Sequence, residues 1–169
     1  MSSPMKLTDR RSDTDVVLTT KIADALRVHL PRRYKLATEM NLLYSLDQHG
    51  ISLSTLYRQA KNTKGPIVLV VKDADDNVSF FFKKNDFLWK WNETESQIKT
   101  YRWTGKNEYM ILSEPDFIAI GGGEGVFGLW LNSELEKGYS QPCPTFDNER
   151  LTPDPEFECV ELEVWGFRM

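Results

Sequence analysis

Apolar positions change period along the chain, and that change predicts the order of elements. Ile22, Leu26 and Leu30 recur at a spacing of four after Thr20, which can cap a short helix that Pro31 ends. Between Met40 and Gly50 two readings stand. Met40, Leu42, Tyr44 and Leu46 alternate like a strand, whereas Leu42, Leu43 and Leu46 suit a helix. Ser52 can cap a second helix, with Leu53, Leu56, Tyr57 and Ala60 as its apolar stripe. From Gly65 onward the period shortens. Ile67–Val71 is a continuous β-branched run suited to a buried strand, and Asp73–Asn77 is a polar turn. Aromatic strands are expected at 78–82 and 87–91, and further strands at 108–112, 117–120 and 126–131. In 160–167, Val160, Leu162 and Val164 alternate with Glu161 and Glu163. Met1–Asp15 is polar and aperiodic, so disorder is expected there. Two helices followed by many short strands predict an α+β domain built on a β-sandwich, a single unit over 16–169.

Composition narrows the function classes. The 169 residues carry a formal net charge of -4, which gives no generic attraction to nucleic acid or anionic lipid. No apolar run reaches about 18 residues, so no membrane insertion is expected. The first 15 residues lack the apolar core of a secretory signal. The two cysteines, Cys143 and Cys159, form no CxxC pair, and a reducing compartment is expected.

Each chemical motif has a plainer counterpart. Asp73–Asn77 opens like a calcium loop, but Val78 replaces the required glycine and Lys84 the bidentate glutamate. Gly123–Gly128 spells GxGxxG, yet Val126, Phe127, Leu129 and Trp130 read as strand where a phosphate-binding helix would have to begin. No cofactor is expected. His29 and His49 lack zinc-ligand spacing with the cysteines; His29 is expected near a helix end, where a cation is favoured. Cys143, in Pro142-Cys143-Pro144, is expected to be partly exposed and is the redox candidate, although no cation lies within five residues to activate it. Glu161 and Glu163 share a strand face, and a solvated face is the commoner reading than an acid/base dyad. No catalytic constellation is recognisable.

Six segments in order resemble the TLDc domain of the oxidation-resistance family. They are 42–57, Pro66–Asp73, Trp103–Tyr109, Ile118–Leu131, Gly138–Glu149 and Leu162–Phe167. Together they span about residues 18–167. The resemblance implies a sandwich of two antiparallel sheets flanked by helices, and protection against oxidative stress. It further implies a partner, the peripheral subunits of the vacuolar-type proton ATPase, whose assembly several members of the family regulate. No catalytic residue comes with it. A monomeric, cytoplasmic protein is expected, reaching organelle membranes through its partner, with mitochondrial or nuclear forms as alternatives. Two other functions stand beside this: direct consumption of oxidant through Cys143, and a scaffold or coactivator-type adaptor. In one respect the chain departs from the family. Asn85–Trp89 follows Phe82 where the family has a long loop.

Loops on a rigid sandwich are where binding residues gather. The candidates are Lys72 and Asp73; Gly121, Gly122, Gly123 and Glu124; and Asp147 and Glu149. For each, turn geometry is the competing structural role.

Overall fold

A computed structural model describes residues 3–83 and 87–168. Its elements are β1 (Lys6–Thr8), α1 (Thr20–Arg27), β2 (Glu39–Ser45), α2 (Leu46–His49), α3 (Leu53–Lys61) and β3 (Ile67–Asp73). There follow β4 (Val78–Lys83), β5 (Phe87–Asn92), β6 (Gln97–Arg102), β7 (Ile111–Ser113) and β8 (Phe117–Gly123). The chain ends with β9 (Val126–Asn132), β10 (Lys137–Tyr139) and β11 (Glu156–Arg168). Strand dominates and nearly all pairings are antiparallel; β1 beside β2 is parallel.

The long strand β11 is the axis. One edge pairs with β3. Its other edge pairs first with β10, at 156–158, and then with β2, at 163–168. The ladder therefore runs β6-β5-β4-β3-β11-β10-β9-β8-β7, continuous through β11. A register shift between Cys159 and Glu161 leaves Val160 without a partner on β3. That bulge breaks the expected alternation: Val160 is 41% exposed, while Leu162 and Val164 are buried.

Two cores explain the hydrophobic pattern. Ile67, Leu69, Val71, Phe81 and Leu88 pack with Ile118, Ile120, Leu129 and Leu131 from β8 and β9, and with Leu53 and Leu56 from α3. Val68, Val70, Phe80, Phe82 and Trp89 turn the other way, against Ile22, Ala23 and Leu26 of α1 and against Met5, Val17 and Leu18. β3 and β4 are thus buried on both faces, which is why they read as unbroken apolar runs rather than alternating ones. The arrangement is sandwich-like, with α1 and the N-terminal segment over its outer face.

Local signals hold with small displacements. The N-cap of α1 is Thr19, whose side chain accepts from Ile22 N, rather than Thr20. Ser52 caps α3 as expected, accepting from Thr55 N. Of the two readings of 40–50 the strand holds for Met40, Leu42 and Tyr44 in β2; the helical reading of Leu42 and Leu43 is corrected, since α2 begins only at Leu46, after the Ser45 cap.

The disorder expected for 1–15 is corrected over residues 3–15. β1 lies on β2, Met5 is buried, and Met5 N donates to Asp24 Oδ1 at 2.8 Å. Short polar segments acquire order once a neighbour supplies the ladder, which periodicity cannot register. The strand expected at 108–112 forms at Ile111–Ser113, and β6 and β10 had no apolar pattern to announce them. Strands β4 and β5 pair directly, Phe82 opposite Phe87, where the family's long loop would have stood. Residues 84–86, on which part of that departure rests, lie outside the described residues. Among the described residues no helix is long and apolar enough to cross a membrane.

Candidate partner-binding surface

The GxGxxG sequence forms the β8–β9 hairpin. Gly123 pairs with Val126, and the two residues between them, Glu124 (φ 56°) and Gly125 (φ 79°), both have positive φ. That is a type I′ turn, whose twist matches the strands it joins. The strand continues beyond it, so no helix N-terminus exists there to hold a pyrophosphate.

The other glycines let a loop approach. Gly121 (φ 72°) is so close to the 141–149 loop that a Cβ would lie 2.8 Å from Cys143 Sγ and 2.9 Å from Phe146. Thr145 fixes this contact: Gly122 N donates to its hydroxyl at 2.9 Å, and the hydroxyl lies 2.7 Å from Asn107 Oδ1. Thr104 Oγ1 donates to Pro144 O at 2.7 Å. The hairpin, the 103–109 segment and the 141–149 loop are therefore one rigid surface.

The candidates divide on this basis. Gly121, Gly122, Gly123, Glu124 and Asp147 come together, and of these Glu124 and Asp147 are exposed. Lys106 Nζ lies 2.8 Å from both carboxylate oxygens of Asp147, tying 103–109 to the loop. Glu149 is exposed and ion-paired with Lys99; that hydrogen bond holds its carboxyl below the usual range. Lys72 and Asp73 belong elsewhere, joined to β11 through Ala74 N and Glu158 O. Asp73 is corrected as a surface contact. It is 3% exposed, and its carboxylate accepts from Asp75 N, Asn77 N and Asn77 Nδ2, closing the turn from within. Lys72 is half-buried, 3.3 Å from Asp76.

Cys143 is corrected too. Its thiol is buried, not partly exposed, and lies 3.3 Å from Asn148 Oδ1. Burial pushes it above its ordinary value, against several local hydrogen bonds. The flanking prolines and polar residues suggested an exposed loop, but the loop folds inward so that Cys143 and Phe146 fill the first core. Cys159 is buried as well and is pushed up to about 12, by desolvation first and Glu161 second. His29 lies past the end of α1, 3.1 Å from Thr100 Oγ1; burial, helped by Lys35, lowers its pKa and disfavours the expected cation.

The carboxylates of β11 are a further correction. Glu163 is 1% exposed rather than solvated. It receives Val17 N, Leu18 N and Trp165 Nε1 and lies 2.7 Å from Arg10. Glu161 is buried, on the β11 side that the bulge reorients.

Sequence reasoning did not single out the apolar part of the surface. Tyr109, Ile111 and Leu112 are exposed at 64%, 38% and 43% beside the glycine hairpin and border a groove of about 610 Å³ with Val126 and Phe127. All three residues of β7 are exposed, and it is the last strand of the ladder. The signal was there, since Tyr109–Leu112 is an unbroken apolar run between polar stretches, but nothing local says which apolar residues stay outside.

A family model described as "TLDc domain" matches residues 11–168. Similar relatives include "Oxidation resistance protein 1" of Yarrowia lipolytica, 36% identical over 168 residues, which cover 88% of this chain and 72% of the relative. The protein of the same name from Cryptococcus neoformans is 35% identical over 190 residues, covering 96% and 41%. "Nuclear receptor coactivator 7" of Homo sapiens is 38% identical over 136 residues, covering 75% and 14%. The chain thus spans most of the first relative and less than half of the other two.

Proposed function

The chain belongs to the TLDc domain family, and on that premise we propose that it contributes to resistance against oxidative stress as a non-catalytic binding module. Its partner in this reading is the peripheral part of the vacuolar-type proton ATPase, whose assembly it modulates. The relatives named for oxidation resistance support the first part. The partner is an inference from family resemblance. The observation that carries binding rather than chemistry is the groove beside the glycine hairpin. There Ile111 and Leu112 on the edge strand, and Tyr109 just before it, expose apolar surface over a platform that Thr145 and the Lys106–Asp147 pair hold rigid. Exposed apolar patches of this kind mark protein contacts, and an open edge offers unpaired backbone groups to an incoming strand. We place the protein in the cytoplasm as a monomer on a two-sheet sandwich, reaching organelle membranes through that partner.

A second reading, a coactivator-type adaptor, draws on the human relative's name. It uses the same surface and differs in partner. Direct oxidant consumption through Cys143 loses its motive, because the thiol is buried and held protonated.

Affinity capture of isolated peripheral ATPase subunits, with and without ATP, tests the proposal. Binding by the wild-type chain and at least about tenfold weaker binding by the Tyr109→Ala/Leu112→Asp double variant is the expected result, as for central apolar contacts. Repeated absence of wild-type binding in both nucleotide conditions would overturn it.

A further inference from the structure

Far from the glycine hairpin, three carboxylates meet where the N-terminal segment, α2 and β11 converge. Asp15, Asp47 and Glu161 each bring an oxygen within 4.8 Å of the others. Backbone contacts hold them there. Asp15 N donates to Asp47 Oδ2 at 2.7 Å, and Asp15 O accepts from Arg10 at 2.7 Å. That guanidinium is committed to Glu163, at 2.7 Å, and lies over the Trp165 ring. Among the described residues none of the three carboxylates joins an ion pair, and the nearby Arg10 guanidinium is engaged by Glu163 and the Asp15 carbonyl.

Glu161 makes this more than a surface cluster. It is 8% exposed, and its Oε1 is fully buried with no hydrogen-bond donor among the described residues. A buried carboxylate oxygen left unpaired is costly to desolvate and ordinarily finds a partner. Here its own strand supplies none, and two more acids bring carboxylate oxygens within 4.8 Å. A bound cation meets this need, because its charge stabilises all three ionised forms at once.

We propose that Asp15, Asp47 and Glu161 form the protein ligands of a site for a hard divalent cation, Ca²⁺ or Mg²⁺, with solvent completing the shell. The donor set is oxygen only, which suits these ions and not zinc or copper. Ca–O distances of about 2.3–2.6 Å allow ligand oxygens on opposite sides of the ion to stand about 5 Å apart. The 4.8 Å limit on the oxygens here is within that span. Asp15 and Asp47 are exposed and give the ion its entry, while Glu161 anchors it from within. The residues come from three distant parts of the chain with no paired spacing, and Asp73–Asn77, which does open like a calcium loop, spends its aspartate on its own turn. With three carboxylates and otherwise water, the affinity belongs at the weak end for calcium sites, a Kd on the order of 10⁻⁴–10⁻³ M.

Calorimetric titration and thermal melts of the full chain with CaCl₂ or MgCl₂, against NaCl of matched ionic strength, test this. Saturable heat and a saturable rise in Tm are expected with at least one ion, and the ion that gives them is the one the site selects. Asp47→Asn, at an exposed position, and Glu161→Gln should each weaken that response at least tenfold. Glu161→Gln should also melt higher than wild type without added cation, because it removes buried repulsion. Asp75→Asn, in the calcium-loop look-alike, should respond as wild type does. The proposal is overturned if neither ion gives a saturable response, even where Glu161→Gln is stabilised, which would mean that the cluster only shares protons. It is also overturned if the response survives in Asp47→Asn and Glu161→Gln.

Discussion

Cys143 shows how packing decides the chemistry of a single residue. Two prolines and a run of polar neighbours place it in a loop, and loop thiols are ordinarily accessible. Gly121 and Gly128 let that loop come down onto the sheet, so the sulfur becomes core. Its pKa rises because burial disfavours the thiolate more than the local hydrogen bonds favour it. The folded state therefore retains the proton to higher pH than the unfolded chain. The stability this contributes is full below the ordinary value of 9.0 and fades as pH rises above it. Alkylation by iodoacetamide at pH 8 should accordingly be slow for Cys143 in the native protein, at least about tenfold slower than in denaturant. Mass mapping of the modified peptide gives the rate, and rapid native labelling would show the loop to be open.

At the scale of elements, the β8–β9 hairpin separates two uses of glycine. Gly125 (φ 79°) occupies an open left-handed turn position where an added Cβ would meet nothing within 4 Å, so Gly125→Ala meets only backbone strain, about 1–2 kcal/mol. Gly123 has φ 111°, where L-residues rarely sit, and its Cβ would lie 2.9 Å from the Pro144 ring. Gly123→Ala should cost more, about 3 kcal/mol or above, and should displace the 141–149 loop. Urea unfolding of the two variants measures the difference, and equal losses would mean that the loop contact carries no weight. A motif scan sees both glycines as the same letters of GxGxxG. The strand pattern of Val126, Phe127 and Leu129 is enough to reject a phosphate site, but not to reveal that Gly123 serves a neighbouring loop.

For the whole molecule, the clasp between the N-terminal segment and β11 closes the outer core. Glu163 gathers Arg10, two backbone N–H groups and an indole, spanning nearly the whole sequence. Removing one member of a buried pair leaves the other uncompensated, a loss of about 3–5 kcal/mol. Arg10→Ala should therefore lower stability by that order in denaturant titration, and Met5, Val17 and Leu18 should lose hydrogen-exchange protection with it. A surface-like effect below about 1 kcal/mol would show that the N-terminal segment is held by its apolar contacts alone.

The sequence by itself determined the class of fold, the two principal helices, most of the strands and the family, because each rests on local periodicity, caps or ordered motifs. Ser52 before Leu53 and the run Ile67–Val71 needed no partner to be understood. Tertiary structure alone decided which polar residues are buried. Asp73, Glu161 and Glu163 look like ordinary surface acids along the chain, and so does Asp15 in a segment that reads as disordered. A bulge at Val160 and partners more than a hundred residues away determine the environment of Glu161 and Glu163, while Asp73 is enclosed by its own turn where that turn meets β11. Burial of a charged group depends on what distant segments bring to it. That long-range information is absent from any local pattern, and both the proposed cation site and the burial of the Cys143 thiol depend on it.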